Sequence, residues 1–212
     1  MSQDHQVLLN QIYRYQKYIY DATRRYYLFG RDKVIAQIAN DPNSRFVVEV
    51  GCGNGRNLFK LAQRRPDLKL MGIDLCDELL DMAQARAQKF TQPMLFAKDY
   101  AANLANHLPE NEKPDTIFAS YTLSMMPDWQ QTLSACLDCL APGGQLHIVD
   151  FAALNASRNL FKRGLDKWLR MFHVNYHQDV YAHLQQHQQT HSLSLGMAQT
   201  HFRATLYPLI SA

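Results

Sequence analysis

The chain has little cysteine and no long apolar run. Four of its 212 residues are cysteine: Cys52, Cys76, Cys136 and Cys139. So few cysteines argue against a disulfide framework and favour a reducing compartment. No apolar run reaches the roughly 18 residues of a membrane-spanning helix, and the start lacks the pattern of a secretory leader. We therefore expect a cytoplasmic protein that does not span a membrane.

The pairing of Cys136 with Cys139 as CxxC is weak evidence for a metal or redox site. The pair lies on a predicted helix, with no second CxxC and no histidine close by. A zinc site needs further ligands of that kind. Reduced, buried thiols are the better interpretation, and no metal is expected.

The clearest motif is the stretch 46–55, FVVEVGCGNG. Its apolar run predicts a buried strand ending near Glu49, and Gly51, Gly53 and Gly55 predict a turn whose backbone N–H groups can approach a ligand closely. A dinucleotide fingerprint needs a further glycine where this chain has Arg56. The turn therefore predicts a nucleotide or nucleoside pocket and argues against NAD.

Two acidic residues follow the next two predicted strands. Asp74 ends LKLMGID, 21 residues after Gly53, where a carboxylate can accept hydrogen bonds from the hydroxyls of a ribose. Asp99 and Tyr100 end MLFAKDY, where they can accept the exocyclic amine of a purine and pack against its face. A glycine-rich connector in some other doubly wound domain explains the turn but not both acids.

Glycine turn, ribose acid and base acid in this order resemble the S-adenosylmethionine site of class I methyltransferases, over roughly residues 45–151. The segment LAPGGQLHIVDF, residues 140–151, is similar to the corresponding segment of the same family. The resemblance implies S-adenosylmethionine as cofactor, with S-adenosylhomocysteine as product. The residues that it assigns to the cofactor are Glu49, Gly51, Cys52, Gly53, Asn54, Gly55, Asp74, Leu75, Asp99, Tyr100 and Ser120.

Helical and strand patterns alternate between residues 33 and 152, which predicts an α/β, doubly wound, mainly parallel sheet. The family resemblance implies seven strands, closed by an antiparallel strand within residues 201–211. We expect residues 1–40 to form a helical cover over the substrate. Residues 41–212 would form the methyltransferase core, with a basic amphipathic helix inserted near 158–172.

Methyl transfer needs a nucleophile held in line with an activated methyl group, and proximity supplies much of the rate enhancement. No covalent nucleophile on the enzyme is required. An amine acceptor must be neutral when it attacks, so a proton acceptor is useful, although the proton can also leave to water. Candidate catalytic residues are Tyr121, Asp150 and His173, each of which has a purely structural alternative.

Two segments outside the predicted core give information about the methyl acceptor. Residues 13–27 hold six of the eleven tyrosines, and residues 158–170 carry five basic residues against one acid. An aromatic face can hold a quaternary ammonium, and a basic amphipathic helix suits an anionic membrane surface. Packing of a covering helix explains the tyrosines as well, and an ordinary lid helix explains the second segment.

Nucleic acid is a poorer partner, because the chain has SYTLSMMPDW where an adenine methyltransferase would carry an Asp/Asn-Pro-Pro-aromatic motif. The segment SYTLSMMPDW of this chain closely resembles the corresponding segment of the bacterial enzymes that trimethylate diacylglyceryl homoserine to a betaine lipid. The similarity extends to YIYDATRRYYLFGRD (18–32), VDF (149–151) and WLRMFHV (168–174).

The resemblance to the betaine-lipid enzymes implies a lipid substrate at the inner membrane face, reached by peripheral association. Tyr20 and Tyr27 would border the substrate, and Arg25 or Arg31 would pair with the homoserine carboxylate. The alternatives are a phosphatidylethanolamine N-methyltransferase, a small-molecule methyltransferase, and a non-catalytic membrane adaptor that binds the cofactor. In the tail, His183, His187 and His191 share one face of a predicted helix, and a solvated helix is favoured there over a metal site.

Overall fold

The computed structural model of the chain describes residues 30–151, 179–186, 192–197 and 201–207. The helices are α1 (Arg31–Asn40), α2 (Arg56–Arg64), α3 (Asp77–Ala87), α4 (Trp129–Cys139) and α5 (Asp179–Gln186), with 3-10 helices at Ala101–His107 and Leu123–Met125. The strands are β1 (Phe46–Val50), β2 (Lys69–Asp74), β3 (Met94–Lys98), β4 (Thr116–Ser120), β5 (Gln145–Phe151), β6 (Ser192–Met197) and β7 (His201–Tyr207).

The strands form one seven-stranded sheet in the order β3-β2-β1-β4-β5-β7-β6. The first five strands are parallel, and β7 runs antiparallel to both β5 and β6. The doubly wound α/β class and the antiparallel closing strand are therefore confirmed. The strand β6 was not among the strands predicted from the sequence.

Both faces of the central strands are buried, which explains why β1 and β4 read as continuous apolar runs. On one face Val47 and Phe118 pack under α1 and α2. On the other face Val48 and Ile117 join the apolar cluster that includes Trp129 of α4. The two clusters hold the carboxyl ends of the strands in fixed relative positions.

The predicted helix carrying His183, His187 and His191 lies only partly within the described residues. The described helix α5 ends at Gln186 and a strand begins at Ser192, while His187 and His191 lie outside the described residues. The His183 ring packs edge-on against the Trp129 ring, with 4.9 Å between centroids. This histidine therefore contributes to packing between α4 and α5.

The prediction for Cys136 and Cys139 is confirmed, because both are free, buried thiols. Burial raises the pKa of Cys136 to about 12, so its thiol stays protonated at neutral pH. Among the described helices none is long and apolar enough to cross a bilayer.

Candidate active site

The strand order reverses between β1 and β4, and a crevice at such a switch point is where parallel α/β sheets bind ligands. Four of the predicted cofactor positions lie at this edge, because each ends or follows a different strand. Gly51 follows β1, Asp74 ends β2, Asp99 follows β3 and Ser120 ends β4. The fold thus brings together residues that are up to 69 positions apart in sequence.

The glycine turn is left-handed at three positions, with φ of 66° at Gly51, 53° at Gly53 and 73° at Gly55. A Cβ atom on Gly51 would lie 2.2 Å from the Thr122 methyl carbon, so the absence of a side chain lets the loop after β4 close on the turn. Gly55 is the N-cap of α2 and makes no side-chain cap. No side chain therefore caps the start of α2, where the backbone N–H groups of a helix can bind a ligand.

Asp74 ties the glycine turn to the end of β2. One carboxylate oxygen accepts a hydrogen bond from the Gly53 N–H at 2.7 Å, and the other accepts from the Cys76 N–H at 3.0 Å. Each carboxylate oxygen can accept more than one hydrogen bond. The same side chain can therefore fix the turn and accept further donors from a ligand.

Asp99 lies at the centre of a small hydrogen-bonded group. It accepts hydrogen bonds from the Tyr100 N–H at 2.7 Å and the Asn103 amide at 2.9 Å, and its second oxygen lies 2.8 Å from His107 Nε2. The bond to His107, then that to Asn103, lowers the pKa of Asp99. The carboxylate is therefore held ionised and ready to accept a donor. Sequence reasoning missed His107, since nothing in its spacing from Asp99 indicates the contact.

Glu49 is buried at the end of β1, with 1% of its surface exposed. Its Oε1 accepts a hydrogen bond of 2.6 Å from the side-chain amide of Asn57, in the first turn of α2. Asn57 was not among the predicted site residues; it is the second residue of α2. The bond fixes α2 to the strand that precedes the glycine turn.

The carboxyl end of β4 forms the other wall of the crevice. The Ser120 hydroxyl is buried and, within the described part of the chain, has no hydrogen-bond partner. Tyr121 adopts φ of 56°, a left-handed conformation that is unusual for a side chain of this size. Burial first, and then the Asp150 carboxylate, raise the pKa of Tyr121 far above its usual value, so its hydroxyl stays protonated.

The charges of Arg31 and Asp150 both affect the pKa of Tyr121. Arg31, at the first turn of α1, is 8% exposed, and its positive charge partly offsets the rise in the pKa of Tyr121. Asp150 is fully buried, and burial raises the pKa of its carboxyl group, while bonds from Ser124 and the backbone oppose that rise. Arg31, Tyr121 and Asp150, predicted separately as substrate or catalytic residues, therefore belong to one neighbourhood.

The remaining predicted residues divide into two groups. Cys52 is buried within the turn, while Asn54, Leu75 and Tyr100 are half-buried on the same edge of the sheet. His173, Tyr20, Tyr27 and Arg25 lie outside the described residues, as does the predicted basic helix 158–172. Their proposed roles stay predictions.

Residues 48–146 match the model of a protein family described as "Methyltransferase domain". The matched stretch starts within β1 and contains the glycine turn, Asp74, Asp99 and Ser120. Residues 48–146 are thus similar to a methyltransferase domain. The edge of the sheet described above lies within the matched residues.

Among curated proteins, the chain is similar to the trans-aconitate 2-methyltransferase of Variovorax paradoxus, with 33% identity over 107 residues. That alignment covers 50% of this chain and 39% of the relative. A ubiquinone biosynthesis O-methyltransferase of a Shewanella species is 27% identical over 146 residues, which are 68% of this chain and 59% of the relative. The chain spans about two fifths of the length of the trans-aconitate relatives.

Solved structures share the fold at low sequence identity. The plantazolicin methyltransferase BpumL, in complex with SAH, superposes with a TM-score of 0.65 at 14% identity and covers 96% of this chain and 95% of its own. An O-methyltransferase family protein from Burkholderia thailandensis gives a TM-score of 0.66 at 15% identity, covering 89% and 59%. The described residues therefore share the fold of these solved methyltransferases.

Proposed function

We propose that the protein is an S-adenosylmethionine-dependent methyltransferase whose acceptor is a small molecule bearing a carboxylate. The observation that supports methyl transfer is the arrangement at the carboxyl edge of the sheet. There Asp74 accepts a hydrogen bond from the Gly53 N–H, and the carboxylate of Asp99 is held ionised. The match of residues 48–146 to the methyltransferase domain model supports it.

The residues present fit the cofactor. Asp74, at the end of β2, would accept hydrogen bonds from the ribose hydroxyls, and Asp99 would accept one from the adenine amine through a carboxylate that is held ionised. The glycine turn has no side chain at three positions, so the methionine part can approach its backbone closely. The N–H groups of Gly51, Cys52, Gly53 and Gly55 are themselves hydrogen-bonded within the described residues, which holds the turn in shape. The buried Ser120 hydroxyl is a further polar group for the same part.

When bound, S-adenosylmethionine supplies an activated methyl group. The chain has to hold the acceptor in line with it and exclude water, which accounts for a large share of the rate enhancement in such reactions. The buried rings of Tyr121 and Phe151, 4.7 Å apart in an edge-on contact, form an apolar wall beside the end of β4. A wall of this kind keeps water from the reacting atoms.

Arg31 supports a carboxylate acceptor. Its charge lies close enough to Tyr121 to influence the hydroxyl, and its guanidinium is a planar donor that matches a carboxylate. The relatives named for trans-aconitate are named for a carboxylate substrate. A carboxylate oxygen also attacks a methyl group without first losing a proton, so Tyr121, whose hydroxyl stays protonated, need not act as a base.

The amine of diacylglyceryl homoserine is a second candidate acceptor, because it also lies beside a carboxylate that Arg31 can pair with. The motifs at 18–32, 120–129, 149–151 and 168–174 support this candidate, as does the basic segment 158–170. Its product would carry a quaternary ammonium, which the tyrosines of residues 13–27 can stabilise at about 0.5–2 kcal/mol per ring. This acceptor would require attachment to a membrane surface.

The test is to incubate the full chain with isotopically labelled S-adenosylmethionine and four acceptors, followed by mass spectrometry. The acceptors are trans-aconitate, other small di- and tricarboxylates, vesicles containing diacylglyceryl homoserine, and vesicles containing phosphatidylethanolamine. We expect label on a small carboxylate. Label on the homoserine lipid alone would favour the second candidate, and the absence of label on all four together with no S-adenosylmethionine binding would overturn the proposal.

The role of Arg31 is tested by Arg31→Gln, with Lys33→Gln as the matched control on the exposed side of α1. Loss of a charged hydrogen-bond partner raises KM for the carboxylate acceptor by about 10- to 100-fold. The affinity for S-adenosylhomocysteine should stay within about twofold, since the proposal gives Arg31 a contact with the acceptor and none with the cofactor. Equal KM values for the two variants would remove Arg31 from the acceptor site.

A further inference from the structure

Asp150 lies at the end of β5 and is completely buried, yet its carboxylate is well supplied with donors. It accepts hydrogen bonds from the Ser124 N–H at 3.0 Å, from the Ser124 hydroxyl, and from the Phe151 N–H at 2.8 Å. A further bond comes from the backbone of Thr122. Three of these four bonds go to the loop that follows β4.

The start of that loop touches both halves of the candidate site. Tyr121 donates its N–H to the Val149 carbonyl at 2.7 Å and holds φ of 56°. Thr122 occupies the space that a side chain on Gly51 would need, and its hydroxyl donates to the Ser120 carbonyl at 3.1 Å. The position of Thr122 therefore determines how closely the loop approaches the glycine turn.

A buried carboxylate with this many donors is poorly placed to take a proton from an acceptor. Its side chain is 0% exposed, and proton transfer would require contact with the acceptor or with a single bridging water. Its bonds to Ser124 would have to break as well. The same bonds are well suited to hold a left-handed residue in place, because such a conformation persists only where its surroundings enforce it.

We propose that Asp150 is a positioning residue, which acts through Ser124 and Thr122 to hold Tyr121 and the loop 121–126 against the cofactor turn. This proposal rests on the proposed function, since the turn is taken to bind S-adenosylmethionine. It assigns to Asp150 an effect on cofactor affinity, which a proton acceptor acting only on the second substrate does not have.

The experiment measures S-adenosylhomocysteine binding by calorimetry, which needs no identified acceptor. Ser124→Ala removes one donor and leaves the carboxylate, while Asp150→Asn keeps one acceptor oxygen and Asp150→Ala keeps none. We expect Ser124→Ala to weaken binding by about 3- to 10-fold, which is less than the roughly 10- to 100-fold value of one hydrogen bond to a charged group, because Ser124 acts on the turn only through the loop. Asp150→Ala should weaken binding more than Asp150→Asn does.

Ser44→Ala is the matched control, because it removes a buried serine hydrogen bond, 2.8 Å to Thr116, near the opposite end of the sheet. It should lower the melting temperature about as much as Ser124→Ala while leaving the affinity for S-adenosylhomocysteine unchanged. Variants of Asp150 and Ser124 that fold and bind with unchanged affinity would overturn the positioning role alone. An unmodified chain that does not bind S-adenosylhomocysteine would overturn the proposed function and this proposal together.

Discussion

At the scale of single residues, the carboxylate of Asp74 has two tasks. The spacing of 21 residues from Gly53 predicts a ribose acceptor, and the structure adds hydrogen bonds to the Gly53 and Cys76 N–H groups. A substitution that removes both oxygens therefore disturbs the glycine turn as well as the ribose contact. The conservative variant is the sharper probe of the ligand.

We expect Asp74→Asn to lower the affinity for S-adenosylhomocysteine by about 10-fold or more, because the amide can no longer accept from both ribose hydroxyls and both backbone donors. Asp74→Ala should in addition lower the free energy of unfolding by about 1–3 kcal/mol, since two N–H groups lose their partner. Calorimetry and urea unfolding measure the two effects. The control is Asp67→Asn, an exposed carboxylate paired with Arg65 near the start of the same strand. Unchanged affinity in Asp74→Asn would mean that the ribose binds elsewhere.

Gly51 and Gly143 are matched glycines with different surroundings. Both have positive φ, 66° and 78°, but a Cβ on Gly51 meets the Thr122 methyl at 2.2 Å, while a Cβ on Gly143 has no atom within 4 Å in the described part of the chain. Gly143→Ala should cost about 1 kcal/mol for the left-handed backbone. Gly51→Ala should cost about 1–3 kcal/mol more because of the overlap. Urea unfolding of the two variants gives the difference directly, and equal losses would show that Thr122 does not pack against the turn.

At the scale of elements, strands that are buried on both faces are the easiest to predict from sequence. The strands β1 and β4 are buried on both faces and appear as apolar runs, so their existence is readable from sequence. The strand β6, SLSLGM, follows a segment rich in Gln and His and has serine at alternate positions, and it pairs along its length with β7. Such pairing is a tertiary effect that local sequence does not report.

The candidate site divides in the same way. Residues that end strands, such as Asp74 and Asp99, are predictable because a regular pattern places them at one edge of the sheet. His107, Thr122 and Ser124 lie on short 3-10 helices or loops, where no periodic signal exists. Their contacts with Asp99, Gly51 and Asp150 depend on how the loops close.

At the scale of the whole molecule, the parallel sheet was predictable, since alternating helices and strands favour a parallel sheet. The antiparallel closure by β7 came from the family resemblance and is confirmed by the register His147↔Thr205 and its neighbours. This closure buries His147, which is 3% exposed and lies 3.0 Å from the Thr205 hydroxyl through Nδ1. The antiparallel seam between β5 and β7 thus contains a titratable group.

Burial lowers the pKa of His147 from 6.5 to about 4, and the charge of Asp41 opposes this only weakly. Because the folded pKa lies below the unfolded one, His147 contributes stability that is complete above pH 6.5 and is lost as the pH falls towards 4. The shift corresponds to at most about 3 kcal/mol. The pKa of His201 is also lowered by burial, so the comparison has to be with a variant rather than between pH values alone.

We expect His147→Asn, which keeps a hydrogen-bonding group near Nδ1 and cannot be protonated, to flatten the pH dependence of stability. Urea unfolding at pH 7 should show the variant less stable, since it packs the seam less well. Between pH 6.5 and 4.5 the unmodified chain should lose stability faster than the variant, and the difference between them should shrink. A difference that stays constant over this range would mean that His147 titrates in the folded protein as it does in the unfolded chain, and that the β5–β7 seam does not exclude the charged form.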